Sequence, residues 1–159
     1  MRIAALAAAA LVTLAMAMPA AAVTVEANVS TEFQKKLDQD LGSREAKTLT
    51  DALTRKIDNA FNSAGVNAAR VVVTIEDAKP NRPTFKQASD KLGLDPMRSI
   101  SIGGAKISGV AYDASGQEIG RYEHKWYESD LSNVIGAGTW SDARTSFDRF
   151  ARRFADKLS

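Results

Sequence analysis

The sequence predicts an α+β fold, a four-stranded mixed sheet with helices packed on one face, and three observations lead there. Residues 99–127 read as two long antiparallel strands about a turn at Asp113-Ala114-Ser115-Gly116. Two alternating stretches, 23–29 and 70–76, flank an amphipathic helical region, which implies a crossover and parallel pairing. The chain closes on a helix, 140–158, whose apolar residues share one side.

Residues 1–22 read as a secretory signal peptide outside the fold. Arg2 supplies the charged start, Ile3 to Met18 is apolar apart from Thr13, and Pro19 precedes the small-residue site Ala20-Ala21-Ala22. The apolar run is shorter than the roughly 20 residues needed to span a bilayer, so no membrane insertion is expected after cleavage before Val23. The expected location is periplasmic or secreted, with residues 23–159 forming one domain.

Within that domain, Val23, Val25, Ala27 and Val29 alternate with polar residues as in a half-buried strand. Ser30 and Thr31 are N-cap candidates, and Gln34 stands where a capping box with Thr31 needs it. Phe33, Leu37 and Leu41 recur every four residues in a short helix that Gly42 can end. A longer helix runs from Ser43 to about Ala64, with Leu49, Leu53, Ile57 and Phe61 in its stripe and Gly65 as its stop. The strand 70–76 turns Val71, Val73 and Ile75 inward.

For the hairpin, pairing Asp113 with Gly116 puts Ala105, Ile107, Tyr122, His124 and Trp126 on one face. Lys106–Glu123 and Ser108–Arg121 then oppose each other on the solvent side. Gly103-Gly104 marks a bulge or a close backbone approach. Leu131, Val134 and Ile135 are expected to tuck the 128–139 linker onto the core. In the last helix, Phe147, Phe150 and Phe154 would each contribute roughly 1.5–3 kcal/mol by burial.

Composition excludes several functions. With 21 Lys and Arg against 19 Asp and Glu, the net charge is +2. Such a balance lacks the basic block of an electrostatic nucleic-acid binder, so no nucleic acid is expected as a partner. The chain has no cysteine, which removes disulfides, thiolate metal sites, cysteine nucleophiles and a lipid-modified cysteine. One histidine without cysteines makes no zinc site, and no cofactor is expected.

Two stretches could carry chemistry. The connection 78–98 is longer than the about 12–15 residues beyond which structureless loops become uncommon. It holds Pro80 and Pro83, a cap candidate in Thr84 with Phe85, Ala88 and Leu92 on the following turn, and the polar residues Asn81, Arg82, Gln87, Asp95 and Arg98. Those five are the binding candidates, with Arg82 the expected anchor because its fork bonds carboxylates and carbonyls alike. The second stretch centres on His124, with Tyr122 and Trp126 able to line a pocket. Ser101 or Ser108 could reach it from the neighbouring strand, yet no nucleophile elbow is present, so no catalytic residue is assigned. The Gly136-Ala137-Gly138 run reads as a hinge rather than an anion site.

The signal peptide, AKPNRPT, GLD, SISIGGA, the D-x-x-G turn and the WSDA helix start resemble a group of uncharacterised proteobacterial periplasmic proteins. The resemblance implies an exported small α/β domain and brings no activity, cofactor or partner. The element order is also similar to small domains of envelope lipoproteins, but the acylated cysteine is missing here. The expected function is therefore non-enzymatic binding of another cell-envelope component through the 78–98 loop. The alternative is a small-ligand or hydrolytic protein whose pocket gathers His124, Arg82 and Asp95.

Overall fold

The computed structural model describes residues 23–159. The signal-peptide reading of 1–22 lies outside them. The elements are β1 (Thr24–Val29), α1 (Thr31–Lys36) running into a π-turn (Leu37–Leu41), α2 (Arg44–Ala64), β2 (Arg70–Lys79), α3 (Phe85–Asp90), β3 (Gly104–Tyr112), β4 (Glu118–Tyr127), a 3-10 turn (Leu131–Val134) and α4 (Ser141–Leu158). The four strands lie in sequence order, β1 parallel to β2 and the remaining pairs antiparallel. This is the predicted α+β architecture. Helix α2 packs over β1, α4 over β3 and β4, and the two helices pack on each other.

Periodicity explains the core. Val71, Val73 and Ile75 of β2, Ala105, Ile107 and Ala111 of β3, and Leu49, Leu53, Ile57 and Phe61 of α2 are all buried in one core. Phe147, Phe150 and Phe154 of α4 are fully buried as well. Phe61 and Phe154 meet edge to face at 5.5 Å, an arrangement favoured by the ring quadrupoles.

Local corrections have identifiable causes. Ser30, not Thr31, caps α1, its hydroxyl accepting from the Phe33 N–H at 3.1 Å. Gln34 donates to Asp38 instead of closing a capping box. Strand β2 runs three residues past its expected end. An irregularity between Ile75 and Asp77 re-phases it there, so that Ala78 is buried opposite Ala105.

The hairpin closes one residue later than expected. The Asp113 N–H donates to the Gln117 carbonyl at 2.9 Å, around a loop whose Gly116 has φ +84°. A second extra residue, Ile119, sits between the pairs Tyr112–Glu118 and Ala111–Gly120. The register is thus two residues off the predicted one: Ser108 faces Glu123 and Lys106 faces Lys125. A shift of two leaves every side chain on its expected face, so Ile107 and His124 still lie together on the core side. Lys106 finds its carboxylate on β2 instead, in an ion pair with Glu76.

Candidate functional site

The 80–103 connection is an ordered excursion pinned from within. Pro80 ends the extended stretch of β2, and Asn81 follows with no exposed surface. Its backbone N–H donates to the Thr139 carbonyl at 2.7 Å, and its carbonyl accepts from the Ser101 N–H at 2.8 Å. Its side-chain amide donates to Asp142 at 2.5 Å and to the Ser101 carbonyl at 3.2 Å. The Asn81 side-chain oxygen accepts from the Asp142 N–H at 2.9 Å. Asp142 also accepts from the Gly103 N–H at 2.9 Å. A carboxylate in the first turn of α4 suits the helix dipole, and here it is buried as well.

Arg82 continues the same role. Its Nε donates to the Ala137 carbonyl, and its Nη1 to the carbonyls of Met97 and Pro96. Three chain segments (the Pro80–Pro83 corner, the 96–103 return and the 137–142 approach to α4) are thereby held together. The Gly136-Ala137-Gly138 run serves this fastening through a carbonyl. Gly138 donates to the Ser141 hydroxyl at 2.8 Å. At Gly104, φ is +147° and an added Cβ would lie 2.3 Å from the Trp126 carbonyl oxygen, so the close approach expected of the glycine pair occurs.

The remaining candidates do local work. Thr84 and Gln87 form a reciprocal capping box at α3, and Gln87 donates onward to Asp40 at 2.8 Å. Asp95 folds the next turn, accepting from the N–H groups of Met97 at 2.7 Å and Arg98 at 3.1 Å. Arg98 is exposed and has no side-chain partner among the described residues. Of the five candidates, then, Asn81 is enclosed, Arg82, Gln87 and Asp95 hold the chain, and Arg98 faces solvent.

The apolar residues of the excursion point the other way. Phe85, Leu92 and Met97 are 86%, 106% and 80% exposed. The short turn expected after the Thr84 cap forms as α3, which ends at Asp90 before Leu92 and buries no side chain. Leu131 and Ile135 fail to tuck in; the 3-10 turn buries only Val134.

A cavity of about 360 Å³ opens beneath the Pro80–Pro83 corner. Leu41, Leu94, Ile100 and Ile102 form its apolar wall, and Lys36, Asp40, Lys79 and Arg82 reach it. Lys36 is held by Asp77 at 2.7 Å, and Asp77 also accepts from the Tyr127 hydroxyl at 2.6 Å. Burial, then this hydrogen bond to a carboxylate, pushes the Tyr127 phenol well above its ordinary range, so it stays a donor. The cluster of Lys36, Asp77 and Tyr127 escaped sequence reading because its members come from three separate elements.

His124 belongs to a different environment. It faces α4 from β4, opposite Ile107, with Tyr122 stacked at 6.4 Å, and Tyr122 in turn rests on Phe150 at 5.7 Å. Its Nε2 is buried without a hydrogen-bond partner. Burial holds the imidazole below its usual pKa, and the guanidinium groups of Arg153 and Arg149 act in the same direction. Arg149 covers the Trp126 ring at 4.0 Å. The expected convergence of His124, Arg82 and Asp95 does not occur: Arg82 lines the corner cavity, while His124 sits under α4 and Asp95 in its own turn. Ser108 pairs with Glu123 on the sheet's other face, and the Ser101 hydroxyl donates to the Pro80 carbonyl at 2.6 Å. Neither serine can form a nucleophile–base pair with this histidine.

Among the described residues no cluster of three His, Cys, Asp or Glu side chains could hold a metal ion. No described helix is long and apolar enough to cross a membrane. No protein-family model matches the chain, and no curated protein matches it.

Proposed function

We propose that the protein is an exported, non-enzymatic binding protein of the cell envelope that docks another envelope protein through its 78–98 segment. One observation carries the reading: three large apolar side chains, Phe85, Leu92 and Met97, stand exposed on a backbone pinned from inside by Asn81, Arg82 and Asp95. A surface held in advance loses little conformational entropy on docking. Exposed Phe and Met are the residue types enriched at interface centres. Arg98, exposed and without a side-chain partner among the described residues, adds a point for a partner carboxylate. The chemistry favours a partner segment with apolar side chains and at least one acidic residue.

The role of the five polar candidates changes accordingly. Arg98 can touch a partner directly, whereas Asn81, Arg82, Gln87 and Asp95 position the apolar contacts. The test places a photo-crosslinking residue at position 85 or 97 in cells producing the full chain. The expected result is a discrete adduct with one envelope protein, formed on the periplasmic side after loss of residues 1–22. Phe85→Ser combined with Met97→Ser, with the photo-residue moved to position 92, should abolish the adduct while the thermal midpoint stays put. An adduct unaffected by that pair of changes, or no adduct from any of the three positions, overturns the reading. So does a cytoplasmic product that retains Met1.

A further inference from the structure

The cavity under the Pro80–Pro83 corner combines an apolar wall with positive charge that no described residue neutralises. Lys79 has no carboxylate within ion-pair distance among the described residues; its ammonium lies 5.9 Å from the Tyr127 ring centre. Arg82 bonds only neutral carbonyls, and its Nη2 is left unbonded. We propose that this cavity binds an unbranched aliphatic carboxylate, its head between Lys79 and Arg82 and its chain along Leu41, Leu94, Ile100 and Ile102.

The other polar groups of the cavity already have partners. Asp40 accepts from Lys91 and Gln87, and Lys36 donates to Asp77. The Ser101 hydroxyl donates to the Pro80 carbonyl, and the Ser99 hydroxyl accepts from the Asp95 N–H at 3.0 Å. A ligand suited to this lining carries one anionic head and no further polar atoms. A peptide would bring amide groups that must give up water without finding partners. The volume, about 360 Å³, lies at the small end of ligand pockets, which points to a chain of medium length.

Arg82 and Gln87 serve both readings, but the exposed apolar contacts of the docking surface are distinct from the cavity lining. Phe85, Leu92 and Met97 do not line the cavity, so either proposal can fail while the other stands.

Equilibrium dialysis of the purified protein with radiolabelled decanoate, below its micelle concentration, tests the site. Saturable binding of one decanoate per chain is expected, weakening from decanoate to hexanoate by up to about fourfold per methylene lost. Lys79→Gln should weaken decanoate binding about tenfold, since a charge-assisted contact is lost from an otherwise exposed side chain. Leu94→Trp should fill the apolar wall and reduce binding further. Decan-1-ol and decyltrimethylammonium should bind at least about tenfold more weakly than decanoate. The thermal midpoint of Lys79→Gln should match that of the parent protein, so its effect is read on a folded protein. Absence of saturation, decanol binding as tightly as decanoate, or Lys79→Gln binding like the parent protein overturns the proposal.

Discussion

The α4–sheet interface and the 80–103 excursion are built on opposite plans within one small domain. Under α4, the phenylalanines and the β-branched residues of β2 and β3 lie inside, and charged residues such as Arg152 and Arg153 lie outside. In the excursion the order is inverted: Asn81 and Thr84 are buried while Phe85, Leu92 and Met97 face solvent. The first region is held by area removed from water, which is non-directional and tolerant of small shifts. The second is held by directed bonds that fix a backbone and leave its apolar side chains free. A shape that must be presented, rather than filled, is made by the second route.

The largest effect tests the first plan. Phe150 is fully buried against Tyr122 and Phe154, at 5.7 and 5.5 Å between ring centres. Phe150→Ala should destabilise by about 3–5 kcal/mol in urea unfolding, as lost transfer energy and a cavity combine. A change below about 1 kcal/mol would mean that α4 does not seal the core.

The second plan is tested at Asn81. Asn81→Ala removes both bonds to Asp142, leaving a buried carboxylate with the Gly103 N–H and the Asp142 N–H without its acceptor. The expected cost is about 2–3 kcal/mol. Limited proteolysis between residues 85 and 98 should accelerate more than the global loss explains, because Asn81 fastens both ends of the excursion to the start of α4. Uniform loss of protection across the chain would contradict the separation of the two plans.

Sequence reading succeeded where periodicity governs and failed where partners are remote. The stripe of α4, the inward faces of β2 and β3 and the capping role of Thr84 all follow from local spacing. Even the hairpin, with its register off by two, kept its faces, because faces depend only on parity. Asn81 and Asp142 are 61 residues apart, and no local pattern announces that they meet. The polar residues of 78–98 suit either a partner surface or the chain's own backbone, and much of that polarity serves the backbone. Ile135 looked like a tuck because it is apolar; the turn that would bury it instead ends at Val134.

A smaller effect lies where the two regions' chemistry overlaps, a polar group inside the apolar interface. His124 is 8% exposed with Nε2 unpartnered, and Arg149 and Arg153 of α4 are the charges that face it. Its folded-state pKa lies below the unfolded value of about 6.5, so the unfolded chain takes up the proton first as pH falls. The stability tied to the neutral imidazole is complete above that value and declines as pH drops toward the folded pKa. The slope should not exceed about 1.4 kcal/mol per pH unit. Urea midpoints measured from about pH 7.5 to 5.5, above most carboxylate titrations, should fall for the parent protein and flatten for His124→Phe. Arg149→Ala should narrow the decline while losing about 0.5–1 kcal/mol from its contact with Trp126.

The smallest expected effect discriminates most sharply between the two plans. Leu92 exposes its whole side chain at the end of α3, beside a turn whose backbone is fixed by other residues. If the excursion is held only by its polar junctions, Leu92→Ser removes no buried area and should change stability by less than about 0.5 kcal/mol. Lower exposed apolar area in the folded state could even raise solubility slightly. If Leu92 instead covers the Pro80–Pro83 cavity part of the time, the same change would remove real contacts. It would then lower the urea midpoint and speed amide exchange at Ser101 and Gly103. Parallel exchange measurements on Leu92→Ser and Asn81→Ala therefore separate the cases. Protection lost only in the Asn81 variant supports a framework of directed bonds, and equal loss in both would show that apolar burial reaches into the excursion after all.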